Sequence, residues 1–140
     1  PVEILKTAES FATNGHVKKV KMSGLRLDDH WAITFAKSLN TNAAIEQIDL
    51  ESNSIGSPGM LAIITSLTTN KTITELLLRQ NKSIESADEE KIPGPLSENE
   101  TIVKLSIDVR SVGAKSSIDK KLRQNQELRR KRRLQSQSRH

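Results

Sequence analysis

The sequence predicts an α/β solenoid, in which short parallel strands alternate with helices. Three observations lead to this prediction: a repeat of about 28 residues, apolar residues at a period of two in the first half of each repeat, and apolar residues at helical spacing in the second half. One strand and one helix of this length cannot bury their apolar faces alone, whereas stacked units share a continuous core. The strands are therefore expected to line the concave side and the helices the convex side.

The strand half of each repeat begins with an asparagine. These asparagines are spaced 28, 28 and 29 residues apart and are Asn14, Asn42, Asn70 and Asn99. Apolar residues follow at the third, sixth and eighth places, which in the second repeat are Ile45, Ile48 and Leu50. The last two places alternate as in a short strand with one buried face. The whole pattern, L-x-x-L-x-L-x-x-N-x-L, is that of a leucine-rich repeat.

The loops after the strands are predicted from two further positions. Leu27, Ile55 and Val112 occupy the thirteenth place after the asparagine and are expected in the core. Asn53 and Asn81 occupy the eleventh place, where an amide side chain is expected to bond loop backbone inside the solenoid. The asparagine that opens each repeat falls just after a helix, where asparagine can adopt a left-handed conformation at modest cost.

The helix half is clearest in the segment SPGMLAIITSLTT, residues 57–69. Ser57 can cap this helix, Pro58 fits its first position, and the predicted apolar stripe consists of Met60, Leu61, Ile64 and Leu67. The equivalent stripe one repeat earlier consists of Trp31, Ile33, Ala36 and Leu39. Residues 1–13 resemble the helix of a further repeat, so we expect the sequence to begin within a repeat.

The third and fourth repeats depart from the pattern. Pro93 and Pro95 should interrupt any helix near Ile92, because proline lacks the amide donor and disfavours a helical residue before it. The fourth repeat has Arg110 at the loop asparagine position, and its helix has an apolar stripe of two residues, which suggests a closing unit. We therefore predict a repeat domain over residues 1–124, with repeats near 14–41, 42–69, 70–98 and 99–124, followed by a basic C-terminal helix and tail over 125–140.

Charge divides the chain into an acidic body and a basic tail. Residues 1–109 contain 11 Lys and Arg against 15 Asp and Glu, whereas residues 110–140 contain 11 against 2. Leu122, Leu128 and Leu134 are six residues apart, which is imperfect for one helix face and is compatible with a turn near Asn125. The basic tail predicts an anionic partner. Three interpretations stay open: a disordered solubilising tail or import signal, contact with nucleic acid or acidic lipid, and, favoured here, contact with an acidic protein surface. Aromatic residues make up 2% of the chain, too few for the stacking surfaces of single-stranded nucleic acid binders.

No pattern in the sequence indicates catalysis, a metal site or a cofactor. The chain has no cysteine, and its three histidines, His16, His30 and His140, have no ligand spacing. There is no G-x-S-x-G turn and no glycine-rich phosphate loop. The acidic run of residues 88–90 lacks the alternation of a calcium loop and is expected to be a solvated face. A binding domain without enzymatic activity is therefore expected.

Two stretches resemble a known family. The segment LESNSIGSPGMLAIITSLTTNKTITEL, residues 50–76, is similar to the "ESNFISG" junction and following repeat of the tropomodulin and leiomodin leucine-rich repeat domain. The segment NQELRRKRRL, residues 125–134, is similar to its closing "NDLVRKRRL", and the RKRR core resembles tropomodulin more than leiomodin. Residues 105–115 depart from the family, which has an aromatic "GYHF" strand followed by "GPR" in this region.

The resemblance implies a cytoplasmic, cytoskeletal domain that binds actin and caps the pointed end of the filament. Leiomodin-type nucleation of actin and a generic protein-binding scaffold with a basic tail are the alternatives. It also implies a monomer, with tropomyosin bound by a portion N-terminal to these repeats and with neither nucleic acid nor a membrane as partner.

The resemblance places the actin-binding residues in the loops after the strands and in the final helix. The loop after the second strand contributes Glu51, Ser52, Asn53 and Ser54. The loop after the third contributes Arg79, Gln80, Asn81 and Lys82, and the fourth repeat contributes Arg110. The final helix contributes Leu128, Arg129, Arg130, Lys131, Arg132 and Arg133.

Overall fold

The computed structural model describes residues 2–138, with side chains described for residues 4–137, and this part of the chain forms six helices and four strands. The helices are α1 (Val2–Ser10), α2 (Asp29–Leu39), α3 (Ser57–Ser66), α4 (Ser86–Glu89), α5 (Pro93–Ser97) and α6 (Val112–Ser138). The strands are β1 (Lys19–Lys21), β2 (Gln47–Asp49), β3 (Glu75–Leu77) and β4 (Lys104–Ser106).

The strands form one parallel sheet in the order β1-β2-β3-β4. The central residue of each strand pairs with that of the next, in the series Val20, Ile48, Leu76 and Leu105. These residues stand at the same place in each repeat, so one turn of the solenoid corresponds to one sequence repeat. The structure confirms the predicted α/β solenoid of leucine-rich repeats.

The core lies between the sheet and the helices, and most of the predicted apolar positions line it. Trp31 stacks on Phe35 with ring centroids 4.8 Å apart, and Phe11 meets the same ring edge-on at 5.4 Å. Phe35 is completely buried, whereas Ile33, which the stripe included, is 36% exposed. Trp31, Ala36 and Leu39 of the predicted stripe are buried, and Ala32 and Phe35 lie on the inward face of α2 in place of Ile33.

The thirteenth place of the repeat is buried in the first two repeats and exposed in the last two. Leu27 and Ile55 are buried as predicted. Val112 is 84% exposed, and its prediction as a core residue is wrong, because α6 begins at this residue and directs it to solvent. In the third repeat Ile84 is buried, one position later than the pattern predicts.

The repeat asparagines form a ladder that links successive turns. Nδ2 of Asn42 donates to the carbonyls of Phe11 (2.7 Å) and Asn14 (3.0 Å), and its Oδ1 accepts from the amides of Ala44 and Ile45. Asn70 and Asn99 repeat this arrangement one and two turns later. None of them has a positive φ, so the left-handed conformation considered for them is not adopted.

The loop asparagines bond backbone inside the solenoid, as predicted. Nδ2 of Asn53 donates to the Met22 and Leu50 carbonyls at 3.0 and 2.9 Å, and its Oδ1 accepts from two amides of the preceding turn. Asn81 bonds the Leu50 and Leu78 carbonyls and the Ile55 amide in the same way.

The last two repeats close the fold differently from the first two. The prolines divide the third convex segment into the short helices α4 and α5, with Pro93 at the start of α5, which confirms the predicted interruption. Helix α6 then continues for 27 residues without a turn near Asn125. Ile118 and Leu122 attach it to the core. None of the helices within residues 2–138 is both long and apolar enough to cross a membrane.

Candidate protein-binding surface

The two loops predicted to bind a partner, residues 51–54 and 79–82, lie side by side at the carboxyl ends of the strands. We call them the rim loops. The Ser52 amide donates to the Arg79 carbonyl at 3.1 Å, and the Ser52 hydroxyl lies 2.6 Å from Oε1 of Gln80. Ser52 and Gln80 both adopt left-handed conformations, with φ of 60° and 62°. Their equivalent in the first repeat is a glycine, Gly24, with φ of 69°.

Asp108 fixes the end of this row of loops, although the sequence did not single it out. Its carboxylate accepts from the Gln80 amide at 2.9 Å and from Nε of Arg79 at 3.1 Å. The hydrogen bond from Gln80, assisted by Arg79, lowers the pKa of Asp108 below its ordinary value. In the earlier turns a backbone carbonyl receives the equivalent amide, as when the Gly24 amide bonds the Glu51 carbonyl. The position of Asp108, 28 residues after Gln80, is the signal that could have revealed this role.

The rim offers fewer accessible side chains than the sequence assigned to it. Asn53 and Asn81 are occupied by backbone and are half-buried, as are Glu51 and Ser54. The exposed members of the two loops are Ser52, Arg79, Gln80 and Lys82. A partner at this edge would meet hydroxyl, amide and cationic groups on a backbone that the loop asparagines fix in place.

Arg110 mainly connects the loop after β4 to the third repeat. Its Nη2 donates to the Ile84 carbonyl at 2.6 Å, and its backbone amide donates to the carboxylate of Glu89. Glu89 is 2% exposed, so the expected solvated face over residues 88–90 is wrong at this position. The run of three acidic residues gave no sign that Glu89 is buried. Glu89 is the last residue of the short helix α4 and faces the loop that follows β4.

The basic segment of the final helix, residues 128–133, lies within α6. Arg130 donates to Glu127 at 2.6 Å, and this contact lowers the pKa of Glu127 and raises that of Arg130. Nη2 of Arg132 lies 3.5 Å from the Glu100 carboxylate. The three remaining cations of this segment, Arg129, Lys131 and Arg133, have no ion pair with the residues described. Leu128 is half-buried.

The rim loops and the basic segment lie at opposite edges of the sheet. Helix α6 begins beside Arg110, crosses the convex side, and reaches the amino end of β4, where Nδ2 of Asn125 donates to the Ile102 carbonyl and Nε2 of Gln126 to the Val103 carbonyl. At 1.5 Å per residue, Arg129 is about 26 Å along the helix axis from Val112, the first residue of α6. The predicted residues therefore form two patches, and only a partner of macromolecular size can contact both.

Among the side chains that the structure describes, no group of three or more His, Asp or Glu residues is arranged to hold a metal ion. The cations and polar groups described above are arranged on an exposed surface, and this arrangement suits recognition of another molecule.

The stacked parallel strands, the asparagine ladder and the convex helices define a leucine-rich repeat domain. Residues 1–128 match the family model described as the TMOD/LMOD leucine-rich domain. The chain belongs to this family.

Two solved structures are similar to the whole domain. The structure of leiomodin-1 actin-binding site 2 has a TM-score of 0.93 and 32% identity, covering 99% of this chain and 80% of that one. The tropomodulin C-terminal domain from Caenorhabditis elegans has a TM-score of 0.89 and 20% identity, covering 95% and 81% respectively, and supports the fold alone. No curated protein sequence matches this chain.

Proposed function

We propose that this chain is a non-enzymatic actin-binding domain that caps the pointed end of actin filaments. The observation that supports this proposal most directly is the similarity to leiomodin-1 actin-binding site 2 along 99% of the chain, together with membership of the family. In this proposal the domain acts as a monomer in the cytoplasm, at the cytoskeleton, and tropomyosin binds outside these repeats.

The two patches would contribute differently to binding. The rim loops present polar groups on a fixed backbone, which favours a defined orientation of the partner. The basic segment supplies three cations without an internal counter-charge, which would accelerate encounter with acidic actin and make the affinity decrease with salt.

Pyrene-actin elongation tests the capping activity. Filaments with blocked barbed ends are elongated with increasing amounts of the domain, and we expect slower growth at the pointed ends. Unchanged growth, without binding to monomers or filaments in sedimentation, would contradict the proposal and favour a scaffold for another protein. A shortened lag with monomeric actin alone would instead identify leiomodin-type nucleation.

A charge variant tests the role of the basic segment. Lys131→Ala with Arg133→Ala removes two cations that have no ion pair, and we expect actin affinity to fall about tenfold at low salt with a flatter salt dependence. The control, Lys6→Ala with Lys37→Ala, removes two exposed charges from α1 and α2. Equal effects of the two variants on binding, measured by sedimentation at several salt concentrations, would argue for general charge attraction instead of a specific patch.

A further inference from the structure

A small groove between β4 and α6 is lined mainly by cations. It has a volume of about 320 Å³, and its lining residues are Val103, Lys104, Gln126, Arg129, Arg130 and Arg133. Four of these six residues are basic and none is acidic. We call this site the β4–α6 groove.

The helical side of the groove is a single stripe. Gln126, Arg129, Arg130 and Arg133 stand at positions i, i+3, i+4 and i+7 of α6, and such residues share one face of a helix. Gln126 fixes this face against the sheet through its 2.8 Å hydrogen bond to the Val103 carbonyl. Arg129 and Arg133 are consequently about 6 Å apart along the helix axis, beside a lysine of the neighbouring strand.

The charges that meet in the groove are poorly compensated. Arg130 pairs with Glu127, which lies outside the lining. Lys104, Arg129 and Arg133 form no ion pair with any residue in the described part of the chain. Like charges held this close repel each other, and a bound anion would remove the repulsion.

The geometry points to a ligand with several phosphate groups. We propose that the β4–α6 groove binds a small polyphosphorylated polyol, either a free inositol polyphosphate or the headgroup of a phosphoinositide. Guanidinium groups present paired donors that match phosphate oxygens, and two or more arginines on one face suit neighbouring phosphates better than a single carboxylate. The groove is also close to the size of small-ligand sites. This site goes beyond actin binding and does not depend on it.

A second basic groove on the other face of α6 provides the comparison. Its lining includes Lys120, Lys121, Arg123 and Lys131, but also the two carboxylates Glu100 and Glu127. These carboxylates would repel a polyphosphate and already pair with Arg132 and Arg130. The β4–α6 groove therefore lacks the carboxylates that line the groove on the other face of the same helix.

Isothermal titration with inositol hexakisphosphate tests the proposal on the whole chain. We expect saturable binding that Arg129→Gln with Arg133→Gln weakens at least about tenfold. The control, Lys120→Gln with Arg123→Gln, removes the same charge from exposed positions on the same helix and should change the dissociation constant less than about twofold. Circular dichroism spectra and thermal midpoints matching the parent would show that all three proteins are folded.

Vesicle sedimentation distinguishes the two sources of the phosphates. Binding to phosphatidylcholine vesicles that contain phosphatidylinositol bisphosphate, but not to phosphatidylserine vesicles of equal charge, would identify the lipid headgroup. Binding of the soluble polyphosphate alone would identify the free compound.

Two results would overturn the proposal. One is the absence of binding to both probes, and the other is an equal loss of binding in the groove and control variants, which would show charge attraction without a site. The actin assays are separate measurements. The domain can therefore fail to cap filaments while the groove binds phosphate, or cap filaments while the groove binds none.

Discussion

At the residue scale, the repeat asparagine connects the sequence pattern to the stability of the solenoid. The spacing of this asparagine was sufficient to predict the repeat, but not the role of its side chain. Asparagine is favoured after a helix for two different reasons: it tolerates a left-handed backbone, and its side chain can bond the backbone of the preceding turn. The structure shows the second arrangement, with Asn70 only 2% exposed and bonded to the Leu39 and Asn42 carbonyls.

The sequence did not predict that Glu89 is buried or that Ile33 is exposed. Both outcomes depend on how a helix is rotated against its neighbours, which a single repeat pattern does not specify.

The asparagine ladder predicts a large difference between two substitutions at equivalent positions. Asn70→Ala leaves two buried carbonyls and two amides without partners, and we expect it to lower the free energy of unfolding by about 3 kcal/mol or more. Asn14→Ala is the matched control, because Asn14 is half-buried and its side chain, among the residues described, only accepts from the amides of His16 and Val17. Urea denaturation measures both, and equal costs would show that the bonds between turns contribute little.

Asp108 predicts a pH dependence of the rim. The Gln80 amide and Arg79 lower its pKa from the ordinary 3.8, so the ionised carboxylate stabilises the fold above that pH. The contribution is lost as the pH falls through the lowered pKa. We expect Asp108→Asn to destabilise the domain more at pH 7 than near pH 3, with a small effect because the carboxylate is exposed. A difference between the unfolding curves of the two proteins that stays constant over this pH range would contradict the assignment.

At the element scale, α6 combines two roles that the sequence separated. The apolar residues Ile118 and Leu122 predicted a closing helix, and the basic run predicted an exposed tail, but the spacing of Leu122, Leu128 and Leu134 suggested a turn between them. The helix continues because Asn125 faces the solenoid, 1% exposed, and donates to the Asn99 and Ile102 carbonyls. A polar residue thus fills the inward position where the apolar pattern fails. The proline interruption of the third repeat was predictable because its cause is local.

Removing Asn125 should free the distal half of α6 from the sheet. Asn125→Ala leaves the Asn99 and Ile102 carbonyls without these donors, and we expect a loss of about 2 kcal/mol in stability. Hydrogen exchange of residues 127–137 should become faster, while exchange in β1 and β2 changes less. Gln124→Ala is the control, since Gln124 is exposed on the same helix. Unchanged exchange in the distal half would show that α6 is held by its apolar contacts alone.

At the scale of the whole molecule, the two proposed patches lie at opposite edges of the parallel sheet. Sequence repeats predicted which residues lie in the rim loops, because each loop follows a strand of known register. They did not predict that residues 128–133 lie at the other edge, since this depends on α6 continuing without a turn. The separation has a consequence for binding, because sites farther apart than about 10 Å usually contribute independently.

The proposed actin contacts should therefore be additive. Lys82→Glu changes an exposed rim side chain, and Lys131→Glu changes an exposed residue of α6. If both patches contact actin, each variant should weaken affinity, and the double variant should show the sum of the two free-energy changes to within about 0.5 kcal/mol. Sedimentation with actin, repeated at high salt to reduce long-range attraction, measures the three values. A coupling of about 1 kcal/mol or more would mean that both residues act at one locus, whereas an effect of only one variant would restrict the actin contact to the patch that contains it.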